Sequence, residues 1–436
     1  MDLPDRTLIK GRAVGALACQ SDSYQRTLDT VVVSCVQAAK PEQNCGKKKK
    51  QEVATHDEWM IECADSVLFP EGGGQPSDHG TLSVTDEKDE KEIPIRIVQR
   101  HGLRCVLYSP QPLKVGEKIR QVVDWRRRWD HMQQHTGQHL LSAMMRKVCP
   151  DLETLGWGMG GEGSMNYVDI PRKPTQEELD SIQVMCTQMI RDNHKIYLKT
   201  PDDAKASSLP EDYDKKDGVV RVIHIGDFDA NTCCGTHLQQ TSHVGLIIFG
   251  GSQTVHGKNC RLQFMAGDRA LKLATSSIEA VSAIARVTSS KSSPSEVVTK
   301  VGEMTESLLE SRRSEKKLLL EIAAFESERV RAVVQSGKSA LVHRANGGIE
   351  FINKIIGEVG DTVTGNGAAL VVAIGEAKGT GPVIISGDKD AVASMVDKVK
   401  AVVTNIKGGG TGSRWQGKVP EWQNAELKQL KALFEQ

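Results

Sequence analysis

Residues 131–148 read HMQQHTGQHLLSAMMRKV. Gly137 is the only helix breaker in the run, and Leu140, Leu141, Met144 and Val148 recur at the three- and four-residue steps of one helical face. The stretch predicts a helix. His135 and His139 stand four apart, so that helix carries two imidazoles on one side, able to share a metal ion. Further along, CCGTH (233–237) follows the strand-like VVRVIHI (219–225), and Gly235 lets the loop turn two more ligands toward one point. Three imidazole nitrogens and one thiolate form a set that suits zinc in a reducing compartment. Spacing alone leaves two alternatives open: His131 lies four before His135, and Cys234 competes with Cys233. The same H-x-x-x-H spacing occurs in metalloproteases, which need a glutamate directly after the first histidine. Here that residue is Thr136, which argues against proteolysis.

Outward from the histidine helix, a second helix is predicted over 173–196, with Pro174 and Thr175 at its start and Ile182, Met185, Met189 and Ile190 inward. MNYVDI (165–170) before it, and VVRVIHI and VGLIIFG (244–250) after it, read as strands. Toward the N-terminus, residues 16–37 alternate, and TVVVSCV (30–36) has the β-branched content of a buried strand. The Lys47–Lys50 run within 38–54 reads as a solvated loop insertion. LFPEGGGQPSDHG (68–80) sets Gly72, Gly73 and Gly74 beside Pro70 and Pro76, a tight turn where backbone approaches something closely. Beyond residue 268, long helices break near Ser293-Pro294. Positions 297, 301, 304, 308, 311, 315, 318, 322 and 325 then follow heptad steps with mostly apolar residues. This predicts a helical hairpin or coiled coil, through which a dimer can form. The runs ALVVAI and GPVIIS, a helix over 389–403 and the glycine-rich GGGTGSRWQGK (408–418) suggest a small α/β domain.

The expected architecture is therefore an α+β multidomain protein. It comprises a β-barrel-like N-terminal domain (1–125), an α/β zinc domain (126–267), a helical hairpin or coiled coil (268–336) and a C-terminal α/β domain (337–436). In a chain of 436 residues, 26% charged and 39% hydrophobic, the composition is that of a globular protein rather than a disordered or membrane one. Formal net charge is zero, so any nucleic-acid contact must come from local basic patches. The ten cysteines lack a disulfide spacing, and no apolar run is long enough for a signal sequence or a membrane span. A cytoplasmic protein with no membrane partner is expected.

LFPEGGGQPSDHG, DHMQQHTGQHLLSA (130–143), VRVIHIGDFDANTCCGTHLQQTSHVGLI (220–247) and GGGTGSRWQGK, in that order, resemble the free-standing alanyl-tRNA editing proteins of AlaX type. That family is homologous to the editing and C-terminal parts of alanyl-tRNA synthetase. The resemblance spans nearly the whole chain from about residue 17. It implies one zinc ion per chain held by His135, His139, Cys233 and His237, choosing Cys233 over Cys234, with Thr136 close to the substrate side chain. It also implies an editing role for residues 126–267, a mischarged tRNA(Ala) as partner and no aminoacylation activity. Two departures stand out: Cys234 replaces the second residue of the usual CGGTH, and GWGMGGEGS (156–164) is unusually rich in glycine.

Such an activity answers a limit of binding. One methylene or hydroxyl gives roughly 1–3 kcal/mol of discrimination, so an alanine pocket cannot strongly exclude serine or glycine. A hydroxyl on Thr136 can bond the serine hydroxyl that alanine lacks, which makes Ser-tRNA(Ala) the first expected substrate and Gly-tRNA(Ala) the second. A zinc-bound water would attack the ester carbonyl. Four protein ligands usually mark a closed site, so either His237 is loose or zinc only orients the substrate. For tRNA phosphate contact the candidates are Arg126, Arg127 and Arg128 before the zinc helix, with Arg414 and Lys418 in the glycine-rich stretch, where Trp415 would stack on a base. The rival function is a non-catalytic, zinc-containing tRNA-binding or chaperone-associated protein.

Overall fold

Alternation of apolar and polar residues builds the first layer. The structure, a computed structural model, describes residues 10–38, 58–85, 91–200, 218–255 and 257–435; the Lys47–Lys50 run lies outside them. After the helical turn α1 (Ala18–Ser21) come strands β1 (Thr27–Gln37), β2 (Trp59–Cys63), β3 (Gly80–Val84), β4 (Ile93–Ile95), β5 (Ile97–His101), β6 (Arg104–Ser109) and β7 (Lys118–Val123). They pair in the order β4-β3-β7-β1-β2-β6-β5, every described pair antiparallel. β4 also approaches β6, so the sheet curls nearly closed around Val32, Ile61, Leu68, Leu82, Leu107 and Ile119. The glycine-rich segment 68–80 lies in the connection from β2 to β3, and its Leu68 and Phe69 are buried in this core.

Helix α2 (Trp125–Val148) follows β7 directly. It opens at Trp125 rather than at His131, because the Asp124 side chain caps it by accepting from the Arg127 amide at 3.2 Å. Leu140, Leu141, Met144 and Met145 are buried in its core face, each contributing roughly 1.5–3 kcal/mol through removal from water. Behind it lie β8 (Gly156–Gly158), β9 (Asn166–Ile170), α3 (Gln176–Arg191), the strands β10 (Ile196–Lys199), β11 (Val222–Ile225) and β12 (Asp229–Thr232), then β13 (Ile247–Val255) and β14 (Asn259–Ala266). One sheet runs β13-β14-β9-β8 and another β10-β11-β12. The segment expected as strand from residue 244 becomes one only at Ile247, because Thr241–Val244 winds into a 3-10 turn.

The chain divides into two compact units, residues 1–280 and 281–436. α4 (Gly267–Thr288) crosses that boundary, and α5 (Pro294–Gln335) opens the second unit's long helix. The second unit continues with β15 (Ala340–Arg344), α6 (Ile349–Gly365), β16 (Ala369–Ile374), β17 (Gly381–Gly387), α7 (Lys389–Val402), β18 (Lys407–Gly409), β19 (Arg414–Val419) and α8 (Asn424–Ala432). Its sheet runs β15-β16-β17-β19-β18, with β15 and β16 parallel and the other pairs antiparallel. Only the last part of α5, from Ala323 through Ser327 and Val330 to Val334, is buried against this core. The heptad positions Val301, Met304, Leu308, Leu318 and Phe325 are exposed. The glycine-rich stretch is a hairpin, with β18 as the sheet edge. Among the described residues no helix is long and apolar enough to cross a membrane.

Candidate metal centre

α2 presents His135, Thr136 and His139, while the loop after β12 presents Cys233 and His237. All five are buried. One ligand atom from each of His135, His139, Cys233 and His237 lies within 4.8 Å of the others. Cys233 Sγ is 3.3 Å from His135 Nε2 and 3.1 Å from His237 Nε2. The imidazole rings of His135 and His237 are 4.5 Å apart, and those of His139 and His237 4.8 Å. Burial first, and neighbouring imidazoles second, hold His135 and His237 well below the usual histidine range, while burial brings His139 down to about 4. Burial likewise pushes the Cys233 thiol up to about 12. A thiolate in such surroundings needs a compensating cation, and three neutral imidazoles are ready donors. The donor set therefore fits zinc.

The alternatives left by spacing separate here. His131 is buried outside the cluster, with its Nδ1 lacking a hydrogen-bond partner among the described residues, and burial lowers it to about 3. Cys234 is partly exposed and lines a small cavity with Gln20, Phe69, Gly72 and Gly73, while its carbonyl accepts from Gln20 Nε2 at 2.8 Å. Gly235 has no room for a side chain: an added Cβ would lie 2.3 Å from His135 Cε1. The Thr136 hydroxyl accepts from the Leu238 amide at 3.0 Å and sits 3.4 Å from His237 Nδ1, so it anchors the ligand loop.

Three residues of the site carried no distinct signal in the sequence. Trp157, from β8, lays its ring 4.7 Å from that of His135, and Gly74, at φ +81°, leaves space for it. Only the glycine-rich character of 156–164 pointed to that region. Arg221, buried, donates to the carbonyls of Cys233 at 3.1 Å and Gly235 at 3.0 Å, clamping the loop from behind. Gln75, at the end of the Gly72–Gly74 run, lies 2.8 Å from His135 Nδ1.

The basic candidates divide. The Arg126 side chain is 85% exposed, near the Glu162 carboxylate at 3.7 Å, and Arg127 Nε donates to the Ser77 carbonyl at 2.9 Å. Arg128 is a correction: it is fully buried, ion-paired with Asp78 and donating to the carbonyls of Ser23 and Val67, so it cannot meet phosphate. Trp415 is a second correction. Its ring is 4% exposed and packed in the core under α7, so it cannot stack on a base. Arg414 and Lys418, on the same strand, are exposed; Arg414 donates to Asn353 Oδ1 at 3.0 Å.

Residues 220–263 match the family described as the threonyl and alanyl tRNA synthetase second additional domain. The chain is 32% identical to alanyl-tRNA editing protein Aarsd1-B of Xenopus laevis, covering 95% of this chain and 97% of that one. Alanyl-tRNA editing protein Aarsd1 of Rattus norvegicus is also 32% identical, with the same coverage. Alanyl-tRNA editing protein AlaX-L of Pyrococcus horikoshii is 30% identical over 47% of this chain and 51% of its own.

Proposed function

The chain belongs to the alanyl-tRNA editing proteins, and from that membership we propose that it hydrolyses mischarged tRNA(Ala) at the cluster of His135, His139, Cys233 and His237. One observation carries the assignment to this site. Ligands separated by about a hundred residues of chain converge, buried, within 4.8 Å. Zinc, when bound there, would act as a Lewis acid that polarises the ester carbonyl and acidifies water. The chain's residues hold that centre in place: α2 supplies two donors on a rigid helix, Arg221 clamps the loop that supplies the others, and the Trp157 ring packs beside that of His135. Water adds to the carbonyl carbon, the bond to the terminal ribose oxygen breaks, and that oxygen takes the proton. Residues 126–267 form the editing module in this scheme, with Arg126, Arg414 and Lys418 as the exposed cations offered to tRNA phosphates.

Ser-tRNA(Ala) is the proposed first substrate and Gly-tRNA(Ala) the second. Thr136→Val tests whether serine selectivity runs through the hydroxyl that the Leu238 amide engages. The decisive experiment incubates the full chain with Ser-, Gly- and Ala-tRNA(Ala), with and without a zinc chelator. The expected outcome is chelator-sensitive release of serine, with Ala-tRNA(Ala) spared and activity lost when any of the four ligands becomes alanine. Retained activity in all four variants would remove the metal from the chemistry. The four-donor set also fits a closed structural site. Zinc bound stoichiometrically with no deacylation of any tRNA would establish that second function.

A further inference from the structure

Gln75 follows the Gly72–Gly74 run of the glycine-rich segment, a motif to which the proposed chemistry gives no task. Its backbone is locked by reciprocal bonds with Gly72, N to O at 3.0 and 3.1 Å, and the residue is buried. The orientation of its amide can be read without ambiguity. The Thr236 backbone N–H can only donate, and it lies 3.0 Å from one terminal atom of Gln75, which is therefore the carbonyl oxygen Oε1. The other atom, Nε2, donates to Thr236 Oγ1 at 2.8 Å. Oε1 is also 2.8 Å from His135 Nδ1. A carbonyl oxygen has no hydrogen to give, so Nδ1 must carry one, and the lone pair of the neutral ring is left on Nε2. Nε2 is the nitrogen that faces Cys233 Sγ. By contrast, His237 Nδ1 faces the Thr136 hydroxyl, which can donate or accept and so dictates no tautomer.

We propose that Gln75 is a positioning residue of the metal centre: it fixes the tautomer and ring orientation of His135, and through Thr236 it ties the glycine-rich turn to the ligand loop. The inference rests on the metal centre proposed above. Gly235 belongs to the same device, because a Cβ there would fall 2.7 Å from Gln75 Oε1 and close the gap through which Gln75 reaches both partners. Outer partners of this kind typically change metal affinity by roughly 10–100-fold when removed.

The test compares the full-length wild type, Gln75→Leu and Gln75→Glu. Zinc affinity is measured by competition with a chromophoric chelator, and the tautomer of His135 by 15N NMR of zinc-free, histidine-labelled protein. The wild type should show the hydrogen on Nδ1. Gln75→Leu should bind zinc roughly 10–100-fold more weakly and lose that single tautomer. Gln75→Glu keeps an acceptor for both N–H groups and should recover most of the affinity. A folded Gln75→Leu that binds zinc as tightly as wild type would overturn the proposal, as would a wild-type His135 with its hydrogen on Nε2. The second result needs no variant and so stands even if Gln75→Leu fails to fold. A wild type that binds no zinc would instead overturn the metal centre itself.

Discussion

At Gly235 the backbone passes so close to His135 that a single methyl would force the ring out of place. Overpacking of this kind costs about 1–3 kcal/mol. Gly235→Ala is therefore expected to lower zinc affinity by about 10–100-fold, each factor of ten being about 1.4 kcal/mol, while the circular dichroism spectrum stays that of the wild type. Competition against a chelator reads the result. Arg128 and Asp78 give a second residue-scale prediction. Both side chains are fully buried and paired, and Asp78 also accepts from the Phe69 amide at 2.7 Å. Arg128→Met alone strands a buried carboxylate and should cost about 3–5 kcal/mol, seen as a fall in thermal midpoint. Adding Asp78→Leu removes the stranded charge and should recover part of the loss. A single variant as stable as wild type would mean that water reaches the pair.

At the scale of elements, α3 begins with a capping box in which the Thr175 side chain accepts from the Glu178 amide and Glu178 accepts from the Thr175 amide. Two bonds from Arg172 and the Thr175 amide pull the Glu178 carboxyl from 4.5 to about 2. Its folded value lies below its unfolded one, so its stabilising contribution is present above pH 4.5 and is lost as pH falls toward 2. Urea titrations of wild type and Glu178→Gln should differ at pH 6 and converge near pH 2; a gap that stays constant across this range would contradict the assignment. Elements also show what the sequence could disclose. The His135/His139 pair was legible because i,i+4 geometry is local to one helix. Gln75, Trp157 and Arg221 were not, since they meet the ligands only after the β2–β3 connection, β8 and the segment leading into β11 have packed. In Arg126–Arg128 three identical residues met opposite fates, because successive helical residues rotate by about 100° and that turn carries Arg128 inward and Arg126 outward. The heptad steps of α5 are present in the sequence, yet Val301, Met304, Leu308 and Leu318 are exposed while Val297, on the same stripe, is buried. Periodicity reports a face, not what covers it.

For the whole molecule, the separation of exposed cations from buried rings predicts how tRNA binding will respond to substitution. Arg414→Ala with Lys418→Ala should weaken tRNA binding and reduce the slope of log affinity against log salt by roughly two, about one per lost phosphate contact. Trp415→Ala should leave that slope unchanged and instead lower the stability of the second unit, as expected for a ring packed with Val399 and Val419. Filter binding at several salt concentrations separates the two effects.

The distance along the chain between the two halves of the metal centre has a consequence for the protein's synthesis. The two ligands His135 and Cys233 lie 98 positions apart. At about 5–20 residues per second, the helix bearing HTGQH leaves the ribosome roughly 5–20 s before CCGTH exists to meet it. Through that interval the apolar face of α2 and its two imidazoles have no loop against which to close, and any metal they catch is held by two donors only. In the window between its two motifs the nascent chain thus offers chaperones an uncovered apolar face, and a cation only half of the ligand set.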